Sequence, residues 1–478
     1  MAEITPVLDE QKREPLYGQL AQYFRDEILS GRIRAGTRLP SVRHLCRSAG
    51  VSKNTVETAY QQLLAEGFVE SRPRSGFFVV EAEEFGTWQA EAPRPLEQVV
   101  KTSEREEQVR YDFHGSVIDL ESFPFSAWRR CMVEALDRYR DDLSFYGEKL
   151  GEPELRVEIA SYLRKARTVN CTPDQIVVGT GLLPAVGSLC LLLAKSVRIV
   201  AIEEPGYADV REVFEQHGLQ VVPIPLEADG ISIEALRASG AQLVYVTPAH
   251  QYPHGMIMPI AKRIKLLEWA KSSGGLILEN DYDGEFRYGV KPVPSLQGLD
   301  QQGAVIYVSN FSKGLSPAIR INYMVLPPML IESYRRFYDR YSNPVSRVEQ
   351  RTLQLFMQQG HWERHIRKMR MVYERKQRAL LLAVEEQFGC QAAVTAQGAG
   401  LHLLLEVRCA HSGEELVQRA LAAGVKVYAI SRNWIGAQQP ASPRLLLGFG
   451  GLSIEQIQQG IAVLKGAWFP DSAGQERT

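Results

Sequence analysis

Seven apolar runs rich in β-branched residues, at 176–178, 198–202, 221–224, 243–246, 276–278, 305–308 and 321–326, recur along the middle of this 478-residue chain, most of them separated by helical segments. A parallel neighbour in a sheet needs a crossover of a dozen or more residues, so strands separated by helices predict a mainly parallel sheet covered on both faces. From Arg347 long charged helices run to about Phe388, and alternation resumes at 400–407 and 444–448, which predicts a second, smaller α+β lobe. Residues 111–470 therefore read as one α/β domain with a large sheet and a small lobe.

The first eighty residues follow a different rule. Leu16, Leu20, Tyr23, Phe24 and Ile28 recur at helical spacing up to Gly31, and Leu39-Pro40-Ser41 turns the chain into a second helix that ends at Gly50. Ser52 is placed to cap a third helix whose Val56, Ala59, Tyr60, Leu63 and Leu64 share one face. Two short helices across a tight glycine-containing turn form a helix-turn-helix pattern, and 68–80 adds two β-prone runs around Arg72-Pro73-Arg74-Ser75-Gly76, the pattern of a wing.

Charge supports a nucleic-acid role for this module. The whole chain carries a formal net charge of −1, yet residues 12–80 hold eleven Lys or Arg against six Asp or Glu, a local footprint for phosphate. A third helix beginning Ser52-Lys53-Asn54-Thr55 presents short polar and basic groups at its first turn, where base edges and phosphates of the major groove are reached. Arg38, Ser41 and Arg43 on the preceding turn and helix are candidates for phosphate contact, and Gly76 lets wing backbone approach the minor groove. Double-stranded DNA is the expected partner of 12–80.

Residues 81–110 hold eight acidic and four basic residues, two prolines and few large apolar groups, which reads as a solvated linker. The six cysteines are scattered, without a CxxC pair or a histidine at metal-ligand spacing, so free thiols in a reducing compartment are expected and no metal site is. The start Met-Ala-Glu-Ile-Thr-Pro lacks the basic and apolar character of a signal peptide, and the apolar stretch 182–194 is too short to span a bilayer. A cytoplasmic protein without a membrane segment is expected.

The motifs Pro15-Leu16-Tyr17, Leu39-Pro40-Ser41-Val42-Arg43, Val51-Ser52-Lys53-Asn54-Thr55-Val56 and Ala65-Glu66-Gly67-Phe68 resemble the winged helix of the GntR superfamily. Downstream, Glu203-Glu204-Pro205-Gly206-Tyr207, Thr247-Pro248-Ala249-His250-Gln251-Tyr252-Pro253-His254-Gly255, Glu279-Asn280-Asp281-Tyr282-Asp283 and Ser309-Asn310-Phe311-Ser312-Lys313 stand in the order found in fold type I aminotransferases. Over nearly its whole length the chain resembles the MocR subfamily, in which the two are fused. The resemblance implies pyridoxal 5′-phosphate (PLP) linked to Lys313, its phosphate near Arg320 and the Gly181-Leu182 turn, its ring under Tyr207 and its phenolic oxygen near Tyr282. It also implies that Arg432 binds an effector carboxylate, with Arg444 as a substitute, and that the protein is a homodimer paired head to tail on an operator with two half-sites.

Three departures touch this chemistry. The aspartate that in the family pairs with the pyridine nitrogen falls at Asn280, with Asp281 one residue later, and either register is open from sequence. Gly179-Thr180-Gly181-Leu182-Leu183 puts leucines where relatives carry polar groups toward the phosphate, leaving backbone N–H groups at a helix start. Asp209 occupies the position where a GABA-responsive relative has an arginine, and it would repel a second carboxylate and favour an amine or neutral polar group. The expectation is a PLP-dependent transcriptional regulator that senses an amine, an amino acid or PLP itself. A working aminotransferase with a DNA-binding head, and a PLP-free regulator using the fold as scaffold, are the alternatives.

Overall fold

A computed structural model describes residues 6, 8–9, 14–80, 109–288, 293–395, 399–436 and 442–470; most of the expected linker, 81–108, lies outside the described residues. Internal contacts divide the chain into two units, up to Lys101 and from Thr102.

The first unit contains helices α1 (Leu16–Leu29), α2 (Val42–Ala49) and α3 (Lys53–Ala65), then the antiparallel hairpin of β1 (Val69–Arg72) and β2 (Gly76–Val79). Leu20, Phe24, Leu45, Val56, Tyr60, Leu63 and Val79 close one core. Gly50, at φ +67°, ends α2 in the left-handed conformation that a side chain disfavours. The Tyr60 hydroxyl donates to the Pro40 carbonyl over 2.8 Å, tying α3 to the turn before α2.

The second unit runs in chain order through β3 (Tyr111–Asp112), α4 (Phe125–Arg138), α5 (Pro153–Arg167), β4 (Ile176–Gly179), α6 (Leu182–Leu193), β5 (Ile199–Glu204), α7 (Ala208–Gln216), β6 (Gln220–Glu227), β7 (Gly230–Ile231), α8 (Ile233–Ala238) and β8 (Leu243–Val246). It continues with α9 (Ile260–Ser273), β9 (Leu276–Asn280), α10 (Leu296–Leu299), β10 (Val305–Asn310), β11 (Asn322–Val325), α11 (Pro328–Phe337), α12 (Arg347–Gln358) and α13 (His361–Phe388). The small lobe adds β12 (Ala392–Val394), β13 (His402–Val407), α14 (Gly413–Ala422), β14 (Val425–Lys426), β15 (Tyr428–Ala429), β16 (Arg444–Gly448) and α15 (Ile454–Trp468).

The large sheet has the order β4-β11-β10-β9-β8-β5-β6-β7. Strands β10, β9, β8, β5 and β6 are parallel to one another, β11 runs antiparallel between β10 and β4, and β7 runs antiparallel to β6 at the far edge. All seven sequence-predicted strands are present, and the small lobe is a four-stranded sheet of order β12-β13-β16-β15. The direction of β11, antiparallel to β10, departs from the parallel expectation because the segment joining the two carries the Lys313 turn rather than a crossover helix.

Period-two alternation divides the side chains of the parallel strands between two cores. Leu243, Tyr245, Leu278, Ile306 and Val308 face α6 and α7, while Val244, Val246, Ile277 and Val305 face α9. At the end of β9 this alternation sorts the polar residues. Asn280 lies on the α6–α7 side, where its Nδ2 donates to the Tyr245 hydroxyl over 2.8 Å. Asp281 points to the other side, where Arg167 Nε and the Tyr307 hydroxyl approach its Oδ2 at 2.5 and 2.6 Å. Arg263 and Glu279, both fully buried, stand 3.7 Å apart on the same side.

Burial opposes ionisation of Asp281, but Arg167 and the Tyr307 hydroxyl outweigh it and hold the carboxyl below its ordinary range. Arg167→Ala strands that carboxylate without its cation. We expect a loss of about 3–5 kcal/mol in chemical denaturation, part of it recovered when Asp281→Asn is added.

Candidate functional site

In the N-terminal unit, the predicted hydroxyls act first on the backbone. Ser41 Oγ accepts from His44 N at 3.2 Å and Ser52 Oγ from Thr55 N at 3.1 Å, while the Ser52 and Thr55 hydroxyls lie 2.8 Å apart. These contacts fix where α2 and α3 begin. Lys53 extends from the first turn of α3 and pairs with Glu57 at 3.2 Å on an exposed face. Arg43 is exposed and makes no ion pair among the described residues. Arg38 bridges to Phe78, and a Cβ on Gly76, at φ +104°, would sit 3.4 Å from its Nε. Arg38 and the start of β2 are thus neighbours, whereas Arg72 lies over the Phe78 ring and pairs with Glu70.

In the second unit, the cleft is built where parallel strands end. After β10, Asn310 Oδ1 accepts from Ser312 N at 2.9 Å and turns the chain, while Phe311 packs on Tyr323 and Trp362. Gly314 lies so close to Trp362 that a Cβ would be 2.5 Å from the indole. Lys313 is thereby held between the two, its Nζ donating to Gly115 O at 2.8 Å and lying 5.0 Å above the Tyr282 ring. Loss of hydration lowers the lysine pKa, with Asp283 partly restoring it.

Tyr282 begins an aromatic wall with Tyr252 (6.2 Å between ring centroids), and Tyr252 in turn meets Tyr207 at 5.1 Å. Behind this wall Glu203 accepts from the Thr247 amide and hydroxyl at 3.1 and 2.8 Å and from Gln251 at 3.4 Å, holding the 247–255 turn. Toward α6, Asn322 Oδ1 accepts from Gly181 N at 2.9 Å. A Cβ on Gly181 would meet Arg320 Nη2 at 2.8 Å. Gly181 therefore leaves a cradle beside an exposed guanidinium, and Leu182 and Leu183 pack back on the core.

On the small-lobe side Arg432 is paired with Asp209 at 2.5 Å and with Glu212 at 3.6 Å. The two residues expected to contact an effector therefore meet each other. Arg444, the substitute, is held by Glu406 at 3.0 Å and by His254 at 3.2 Å; burial and then Arg444 lower the His254 pKa to about 4.

Residues 16–79 match the family described as bacterial regulatory proteins, gntR family, and residues 120–464 match aminotransferase class I and II. The chain is 41% identical to YdeL, an HTH-type transcriptional regulator of Bacillus subtilis, over 98% of this chain and 99% of that one. It is 33% identical to the probable rhizopine catabolism regulatory protein MocR of Rhizobium meliloti, over 97% and 95% of the two chains. The chain belongs to the MocR-type transcriptional regulators. Among solved structures, this MocR-type regulator resembles a kynurenine aminotransferase of Pyrococcus horikoshii in complex with PMP (TM-score 0.68, 25% identity, 79% of this chain and 96% of that one). It also resembles the α-aminoadipate aminotransferase LysN of Thermus thermophilus (TM-score 0.68, 22% identity, 77% and 94%), which shows the fold.

The fold of the regulator thus links Lys313, Tyr282, Tyr252 and Tyr207 in one cluster and Gly181 with Arg320 in another, and it separates Asn280 from Asp281. Sequence reasoning passed over Tyr245, Asn322, Gly115 and His402, which lie far from the quoted motifs or carry no motif of their own. His250 and Asp283 lie inside the motifs 247–255 and 279–283, which by themselves give neither residue a role.

Glu203 offers a pH test of the turn. Burial raises its carboxyl to about 7, its hydrogen bonds from Thr247 and Gln251 opposing this only in part. A folded pKa above the unfolded one gives stability that is full below the unfolded pKa and is lost as pH rises through about 7. Glu203→Gln should therefore unfold later than the parent at about pH 8 and show little gain at about pH 5, the difference being on the order of 3 kcal/mol. Thermal unfolding at the two pH values measures it.

Proposed function

We propose that this MocR-type regulator binds PLP at Lys313 and senses an amine or amino acid effector there, with the effector altering the affinity of a homodimer for its operator. The observation that carries the reading is the Lys313 amine, fixed by a backbone carbonyl over the Tyr282 ring and shifted toward its neutral, nucleophilic form. The remaining residues fit the cofactor. The buried Asn280 Oδ1 has no hydrogen-bond partner, and the Gly181 cradle opens beside Arg320. Leu182 and Leu183 contribute backbone N–H groups at the start of α6.

When bound, the cofactor supplies an aldehyde that condenses with an amine and a ring that withdraws electrons. Each residue then has a task. Lys313 would be the residue to hold that aldehyde, its amine fixed at Gly115 O over the Tyr282 ring. Tyr207 and Tyr252 wall the ring face, Arg320 takes the phosphate charge, and Tyr282 addresses the phenolic oxygen. Asn280 offers a neutral partner to the ring nitrogen, so it brings no negative charge to keep a proton there, which favours sensing over turnover. Asp209 already neutralises Arg432, so an effector carboxylate must displace it, while an effector ammonium is drawn to Asp209 and Glu212.

A working aminotransferase is the second reading, favoured by the conventional set of Lys313, Tyr282, Tyr207 and Arg320. Keto-acid formation at about 1 s⁻¹ or faster would establish it. Among the described residues no helix is long and apolar enough to cross a membrane, and the regulator reading places the protein in the cytoplasm with its DNA.

Two experiments test the proposal. Protein supplied with PLP, reduced with borohydride and mapped by peptide analysis, should carry the adduct on Lys313. Lys313→Ala should lack it and lose the effector-dependent change in operator binding; an unchanged response in that variant would sink the sensing role. For the head, Arg43→Ala should weaken binding across DNA sequences and reduce the salt slope by about 1, as read by titration at several salt concentrations. A loss confined to one sequence would remove Arg43 from phosphate contact.

A further inference from the structure

His250 and Asp283 form a buried ion-pair-like contact against Tyr282 that the sensing scheme does not use. His250 Nδ1 lies 2.9 Å from Asp283 Oδ2 and 3.0 Å from the Tyr282 hydroxyl, and the side chains of His250 and Asp283 are 2% and 1% exposed. The contact is enclosed by the small lobe. A Cβ on Gly400 would stand 2.2 Å from His250 Cε1 and 2.4 Å from Asp283 Oδ2. Gly400 is pinned there, its N donating to Phe286 O at 2.8 Å and its carbonyl accepting from the Tyr288 hydroxyl at 2.9 Å. Only a glycine, here at φ +71°, lets the lobe lie on the pair.

One ring nitrogen facing two oxygens has few options. An unprotonated Nδ1 could accept the Tyr282 proton, but its lone pair would then face a carboxylate oxygen at 2.9 Å, which is repulsive. A protonated Nδ1 donates to Asp283 and presents the same N–H to the Tyr282 oxygen, and the tyrosine hydrogen must then point elsewhere. Because a phenol O–H stays near its ring plane, that hydrogen takes the in-plane direction away from His250, on a ring whose face carries Lys313 Nζ. We propose that Asp283 and His250 are positioning residues that keep the Nδ1–H tautomer and thereby aim the Tyr282 O–H into the Lys313 cleft, making Tyr282 a hydrogen-bond donor to an oxygen bound there. This rests on the cofactor reading for the identity of that oxygen, but not for the tautomer.

The charged and titratable groups facing these atoms come from several elements. Asp283, Tyr282 and His402 surround His250, the His402 ring lying 4.9 Å away. Burial, His250 and Lys313 hold the His402 pKa far below its ordinary value, so it stays neutral. Lys313 interacts electrostatically with Asp283, His402 and His114, and Arg287 interacts with Asp283. Asp283 is thus the carboxylate in contact with His250, which makes it the residue to change.

The test has two arms. In protein with isotope-labelled histidine, the His250 signals, assigned by their loss in His250→Gln, report which nitrogen carries the proton. Nδ1–H is expected in the parent and Nε2–H in Asp283→Asn; Nε2–H in the parent overturns the proposal whether or not PLP binds. In the second arm, protein loaded with PLP is titrated while its visible band is followed. Asp283→Asn should shift the midpoint in the same direction as Tyr282→Phe, by about one pH unit. A midpoint that moves in Tyr282→Phe and stays fixed in Asp283→Asn also overturns it. Should the parent give no band at all, the cofactor reading fails while the histidine signals still decide the tautomer.

Discussion

The cleft depends on how one strand end distributes charge. At the close of β9 successive side chains leave on opposite sides of the sheet, so Asn280 joins Tyr245 and Asp281 joins Arg167 and Tyr307. A carboxylate this deeply buried needs a cation and further donors around it, and Asp281 has both on the side away from Tyr245. Moving the register by one residue would send Asp281 toward Tyr245 and take it away from Arg167 and Tyr307. The ion pair therefore holds a neutral amide, rather than a carboxylate, on the α6–α7 side, and the electrostatics of the cleft follow from it.

The order of strands and helices was legible because hydrophobic rhythm carries it: seven short apolar runs became seven strands of the large sheet. The Ser52 cap and the Gly50 helix end were legible because a cap and a left-handed turn each demand a residue type. Two things were not. Asn280 and Asp281 are adjacent, and choosing between them requires the phase of the pleat, which an error of a single residue in the strand end inverts. The partners of His250 lie 33 residues away at Asp283 and 32 away at Tyr282, and His402 arrives from the small lobe. Their meeting is a property of the folded sheet and lobe together.

The fate of Asp209 shows how a local reading changes once partners are visible. Taken alone, an acidic residue at the mouth repels carboxylates. In the fold it is bound to Arg432, the residue expected to attract them, with Glu212 nearby. Side chains this exposed form a weak pair, so the contact sets a preference that a ligand can overturn and does little for stability. The charges at the mouth are thus balanced internally, and a zwitterion carrying both an acid and an ammonium can replace each half of the pair with its own opposite charge, whereas a simple anion can satisfy only Arg432.

This exchange matters for signalling because the two halves belong to different lobes. The Arg432 loop is fastened to the large lobe by backbone contacts between Gly206 and Asn433, by Arg211 donating to the carbonyls of Arg432 and Trp434, and by Glu204 accepting from the amides of Ile435 and Gly436. Gly400 rests on His250 and Asp283 from the same small lobe. A ligand changes the behaviour of a protein only by its unequal affinity for two arrangements, and a site whose walls come from both lobes is placed to supply that inequality. On the proposed reading, an effector that traded places with Asp209 would alter contacts across that seam, so recognition at the mouth would reach both lobes through the same few side chains.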